Sequence, residues 1–166
     1  MAWTTPGTAT AGEVLTAAFW NTNVRDNSNA LPRGVLGKAS LATAFTTSAT
    51  HTAYQDTGLT ASVTYENNRI LRVSCMAQYY PSGGLQGINI RLIRTATTMS
   101  QHQITADALN ATASTAGFVE CFITTASATT ETFKVQISAA VSNTAVTQYG
   151  DGNFTRYFIV EDIGAA

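Results

Sequence analysis

The side chains able to act as nucleophiles, metal ligands or general bases are few in this sequence, and their spacing works against each role. The two histidines, His51 and His102, stand in polar stretches without a ligand-spaced partner. A zinc site needs three or four convergent Cys, His or carboxylate ligands. Cys75 and Cys121 sit inside strand-like runs, where a free cysteine behaves as a small buried hydrophobe. A disulfide between them needs neighbouring strands in register and an oxidising compartment, and nothing else signals secretion. Serines abound, yet no Gly-x-Ser-x-Gly elbow occurs. A Ser-His-Asp site can assemble across a fold in any chain order, but only two histidines are on offer. Glu161 and Asp162 are adjacent on a strand, so their side chains point to opposite faces and cannot share a proton. Glycoside hydrolysis needs two carboxyls facing across a sugar, and Glu120 and Glu131 read better as solvated surface groups. Gly83-Gly84 and Gly150-Asp-Gly152 lack the spacing of a phosphate loop. Asp151 with Asn153 makes a weak calcium site at best. No catalytic residue, metal or cofactor is expected, and the chain reads as a non-enzyme.

Two features suit recognition instead. Both tryptophans fall within the first twenty residues. Trp3 and Trp20, with Leu15, Phe19 and Val24, give this segment a large apolar area, and Arg25, Asp26 and Asn27 add directional hydrogen bonds at its end. Two uses are open: docking on a partner, or folding back as a cap on the chain's own body. The second feature is a pair of tips, Tyr79-Tyr80-Pro81-Ser-Gly-Gly84 and Tyr149-Gly-Asp-Gly-Asn153. Tyr79, Tyr80, Tyr149, Asp151 and Asn153 there either contact a sugar or a protein, or simply make turns.

The elements that hold these residues follow from periodicity. Thr10-x-x-Glu13 has capping-box spacing, and the pairs Leu15/Phe19 and Trp20/Val24 stand four apart, which predicts one short helix within 10–29. Residues 30–37 read as a Pro- and Gly-bearing linker. Thereafter apolar residues alternate with Thr, Ser and Ala, clearest in Leu59–Tyr65, Leu71–Tyr79 and Phe133–Val141. Phe118–Ile123 is mostly apolar and could be central. Turn signals at sandwich-like intervals give about eight strands. The expected fold is all-β: an antiparallel jelly-roll sandwich over 38–166, behind an N-terminal attachment arm over 1–37.

Composition narrows the partners. Of 166 residues 45% are hydrophobic, but only 11% are charged, less than half the usual share. The net charge is −1 and the only lysines are Lys38 and Lys134, which argues against nucleic acid or an anionic membrane as partner. No run approaches a membrane span, and the N-terminus lacks the form of a secretory signal. A surface this neutral does little to prevent self-association.

Trp3-Thr-Thr-Pro, Ala11-Gly-Glu-Val-Leu-Thr-Ala17 and Asn21-Thr-Asn-Val-Arg-Asp-Asn27 resemble an N-terminal segment of tailed-bacteriophage virion proteins. These include head decoration (cement) proteins, minor tail proteins and short fibres. Family members often carry one aliphatic residue where this chain has Phe19-Trp20. Thr132-Phe-Lys-Val-Gln136 and Phe158-Ile-Val-Glu-Asp-Ile-Gly164 resemble the closing strands of small tumour-necrosis-factor-like jelly rolls on phage fibres and head spikes. The resemblance implies a homotrimer on the outer surface of the virion, assembled in the host cytoplasm. Its partner is the major capsid protein or a tail protein. Fibres usually place a shaft between attachment segment and tip, whereas only 30–37 intervenes here, which favours a head decoration protein. A minor tail protein or short fibre binding a host-surface glycan through its loops is the alternative, and a virion-associated hydrolase is the third reading.

Overall fold

Alternation of buried and exposed positions sets the register of every long strand, because a one-residue slip would carry the whole apolar set into water. The computed structural model describes residues 16–21, 24, 27–48, 53–81, 86–106, 115–140 and 145–166. Ten strands follow two helical turns: β1 (Gly34–Leu41), β2 (Phe45–Thr46), β3 (Gln55–Tyr65), β4 (Arg69–Pro81), β5 (Gln86–Arg94), β6 (Thr97–Ala106), β7 (Thr115–Thr124), β8 (Thr129–Ala139), β9 (Val146–Tyr149) and β10 (Arg156–Ala165). In β3, Leu59, Ala61, Val63 and Tyr65 are buried while Thr60, Ser62 and Thr64 are exposed.

The pairing is nested. β1 pairs β10, β3 pairs β8, β4 pairs β7 and β5 pairs β6, all antiparallel. Two further pairings, β10 with β4 and β8 with β5, arise when this long double ribbon rolls up. One sheet is β3-β8-β5-β6; the other runs β1-β10-β4-β9-β2, with β7 on the free side of β4. Short β2 and β9 continue β1 and β10 along the same line, so the eight principal strands form a jelly roll, as expected. Leu71, Val73, Phe158 and Val160 from one sheet meet Ile88, Ile90, Phe133 and Val135 from the other in a single core.

One expectation needs adjustment. The first strand begins at Gly34, inside the segment read as linker. Its glycines have strand roles: Gly34 takes φ 75°, and a Cβ at Gly37 would stand 2.6 Å from Val63 Cγ2. Absence of that Cβ lets β1 lie close over β3. The helix expected within 10–29 is described in parts: Ala17–Trp20 forms α1, Asn27–Ala30 forms α2, and Asn21 and Val24 between them are π-helical. Residues 22–23 and 25–26 lie outside the described residues. Thr10, Glu13 and the capping box lie outside the described residues.

The root of the arm is fixed to the body by buried charge. Asp162 is 2% exposed and accepts from Arg69 Nε and Nη2, both at 2.7 Å, and from the Gly164 amide at 2.9 Å. Arg69 Nη2 also donates to the Leu31 carbonyl at 2.5 Å, and Arg33 grips Glu66 with both terminal nitrogens. As the strand parity required, Glu161 points the other way, to Arg72 on the outer face.

Candidate functional site

Among the described residues no three His, Cys, Asp or Glu side chains converge on a metal-sized site. His102 is exposed on β6, and His51 lies outside the described residues. Cys75 and Cys121 are free thiols on neighbouring strands, both turned to the core side. Burial pushes Cys75 up to about 12 and Cys121 up to about 11, so both are neutral fillers. Glu120 and Glu131 belong to different sheets. Glu120 stands 3.8 Å from Arg72, and Glu131 binds Arg94 and the Tyr65 hydroxyl.

Within the arm, Trp20 is 55% exposed and Val24 40%. Leu31 is exposed as well, while Ala30 is buried against the end of β10. Among the described residues the core cluster begins at Leu36, and neither Trp20 nor Val24 belongs to it. Asn27 opens α2 and Phe19 lies in α1. Trp3, Leu15 and Arg25 lie outside the described residues.

The expected tip contacts divide. Tyr79 is a correction: it is fully buried, its hydroxyl accepting from Gln148 Nε2 at 3.0 Å. The parity that buries Cys75 and Ala77 on β4 carries Tyr79 inward with them. Tyr80, one residue on, faces outward and meets Tyr149 edge to face at 5.1 Å; Tyr149 in turn lies 5.9 Å from Phe154. Residues 150–155 interrupt the line of β9 and β10 and are held by Asp151. Its carboxylate accepts the Tyr149 hydroxyl and the amides of Asn153 (2.7 Å) and Phe154 (2.8 Å). Those hydrogen bonds, the Tyr149 one first, hold Asp151 below the usual carboxylate range and raise Tyr149. A hollow of about 150 Å³ lies between this excursion and β7, lined by Met76, Gln78, Ala116, Tyr149 and Phe154.

The hollow opens onto a face that sequence reasoning missed. β7 is an edge strand, paired only with β4 among the described strands, and not central. Val119, Cys121 and Ile123 face the core, while Phe118 and Phe122 are 56% and 58% exposed on the outside. Strand register places Phe118, Met76 and Tyr157 in one row across β7, β4 and β10. The next row holds Glu120, Ser74 and Ile159, and the row after it Phe122, Arg72 and Glu161. The other sheet shows the opposite character outside, with Thr60, Ser62, Thr64, Arg91, Thr132 and Gln136. The mostly apolar run 118–123 was the available signal, and it arises here from an edge strand with two exposed phenylalanines and not from a central position.

The fold and surface together define a jelly-roll β-sandwich with aromatic side chains standing on one outer sheet face and an exposed Trp20 on the segment that precedes it. No family model matches the chain, and no curated protein matches it. Among solved structures it is similar to the insecticidal delta-endotoxin Cry8Ea1 of Bacillus thuringiensis (14% identity, TM-score 0.34). That match covers 78% of this chain and 20% of the toxin chain. It is also similar to the CBM22-1 xylan-binding domain of Paenibacillus barcinonensis Xyn10C (10% identity, TM-score 0.35, 78% of this chain and 88% of that one). A third is VP2 of the infectious bursal disease virus subviral particle (14% identity, TM-score 0.34, 81% and 38%). Likeness at this level assigns no activity to the chain.

Proposed function

We propose that this chain is a non-enzymatic virion structural protein of a tailed bacteriophage, a head decoration protein docked on the capsid through its N-terminal arm. The observation that carries the reading is the exposure of two large apolar side chains of the arm, Trp20 and Val24. Neither belongs to the core cluster of the body. A helix this short is marginal alone in water, so a segment of this kind gains its order from what it binds. Burying Trp20 contributes on the order of 1.5–3 kcal/mol, enough with a few neighbours to anchor a subunit after ordering costs. The arm's likeness to phage attachment segments supplies the partner class, the major capsid protein or a tail protein. The neutral surface supports a homo-oligomer, a trimer by that resemblance.

The test is co-sedimentation with empty expanded heads. The full chain is expected to pellet with heads, and a chain lacking residues 1–29 to stay in the supernatant while remaining folded. Trp20→Ala is expected to weaken binding at least about tenfold, since about 1.4 kcal/mol is a factor of ten, with melting unchanged. Full decoration by the truncated chain sinks the reading. A second reading, a minor tail protein or short fibre holding a host-surface glycan, is supported by the Tyr80–Tyr149–Phe154 stack around the hollow. Binding to host cells rather than to heads, lost in Tyr149→Ala, selects it.

A further inference from the structure

We infer that the outer face of the six-stranded sheet, centred on Phe118, Met76, Tyr157 and Phe122, is the surface through which copies of this chain pack on one another. The inference rests on the decoration reading only for its homo-oligomer; the face itself is argued from the following observations. Each of the four side chains is about half exposed on a rigid, hydrogen-bonded sheet. An aromatic side chain carries roughly 150–250 Å², so together they present roughly 400 Å² of apolar surface, the scale of a functional patch. The strands β7, β4, β10 and β1 lie side by side here. At roughly 4.8 Å per strand and roughly 30 Å of length, the face projects roughly 600 Å², and its standing side chains bring the accessible area near the roughly 800 Å² per partner of a stable interface.

Charge selects the occupant. Arg72 bonds Glu161 at 2.5 Å and lies 3.8 Å from Glu120, and Lys38, opposite Ile159 on β1, offsets the second carboxylate, so the charges of this face sum to zero. A strongly basic or acidic partner finds no excess of opposite charge, whereas a second copy brings an equally balanced face and meets no net repulsion. The face also carries both halves of a fit: the Phe118 and Phe122 knobs, and beside them the 150 Å³ hollow under Phe154, the size of a large side chain. A knob from one copy entering the hollow of the next is a heterologous contact, the kind that closes into rings. The polar Thr- and Ser-bearing face of the other sheet is then left to solvent.

Phe118→Asp/Phe122→Asp in the full chain tests this by light scattering at micromolar concentration, with far-UV circular dichroism and oxidation of Met76 by dilute peroxide alongside. The wild type is expected to be a multimer whose Met76 oxidises at least about tenfold more slowly than methionine in a short peptide. The Asp variant is expected to have the mass of one chain, a wild-type dichroism spectrum and fast Met76 oxidation, while Phe118→Leu/Phe122→Leu keeps the multimer. A multimer that persists in a folded Asp variant overturns the inference and leaves the decoration reading standing. If the Asp variant does not fold, the wild type still decides, because a multimer with fast Met76 oxidation overturns the inference. A wild-type monomer overturns both the inference and the homo-oligomer; slow Met76 oxidation in that monomer assigns the face to the chain's own arm.

Discussion

Replacing Asp162 with Ala tests how the arm's root is held. Asp162 and Arg69 are each 2% exposed and share two hydrogen bonds of 2.7 Å. The substitution leaves the Arg69 guanidinium in the interior without its counter-charge, and the Gly164 amide without its acceptor. Breaking one side of a buried pair costs about 3–5 kcal/mol, mostly from the charge left behind. For a chain of this size about 2–4 °C of melting temperature accompanies each kcal/mol, so a fall of roughly 6–20 °C is expected. Urea unfolding should show a lower midpoint at unchanged slope. The control is Arg69→Met/Asp162→Leu, which removes both charges. It should recover part of the loss, short of about 1 kcal/mol each for the Leu31 carbonyl and the Gly164 amide, which lose their partners in this variant too. A loss below about 1 kcal/mol in Asp162→Ala, or a double variant as unstable as the sum of the singles, would falsify the argument.

Cys75→Ala should destabilise by about 1–2 kcal/mol, as small core cavities do, and thiol labelling after unfolding without reductant should count two free thiols. Gly37→Ala puts a methyl 2.6 Å from Val63 Cγ2, so β1 must lift from β3 at a cost of about 1–3 kcal/mol, read by urea unfolding. Asp151 is held below its ordinary value near 3.8, so its contribution to the 150–155 excursion is complete above that value. The contribution fades as pH falls through the lower folded value; below neutral pH the Tyr149 and Phe154 resonances should move in that acid range, and in Asp151→Asn they should not move there.

Much of the fold was legible because alternation is a local property. Leu71, Val73, Cys75, Ala77 and Tyr79 show the period of a half-buried strand, and the strand is there. That period already placed Tyr79 with the core and Tyr80 outside; the Pro81-Ser-Gly-Gly84 turn signal pulled both toward the tip. Gly34 and Gly37 resembled linker punctuation because a missing Cβ looks the same whether the chain bends or passes close to a neighbour. Arg69 and Asp162 are 93 residues apart, and nothing local joins them. The apolar run 118–123 has the look of a strand buried within its own domain, but strand neighbours are not a local property, so the run does not reveal that β7 lies at an edge with Phe118 and Phe122 exposed.

The nested pairing also sets an order of events during synthesis. β1, next to the arm, finds its partner only when β10 has been made, and Asp162, which orients Arg69 toward the Leu31 carbonyl, lies on β10. Contacts that close so long a loop form late and slowly. The segment before β1 therefore leaves the ribosome before the body does, yet its root gains a fixed direction only when the sandwich is shut. The direction of that segment is thus a property of the finished sandwich and reports that the body is complete.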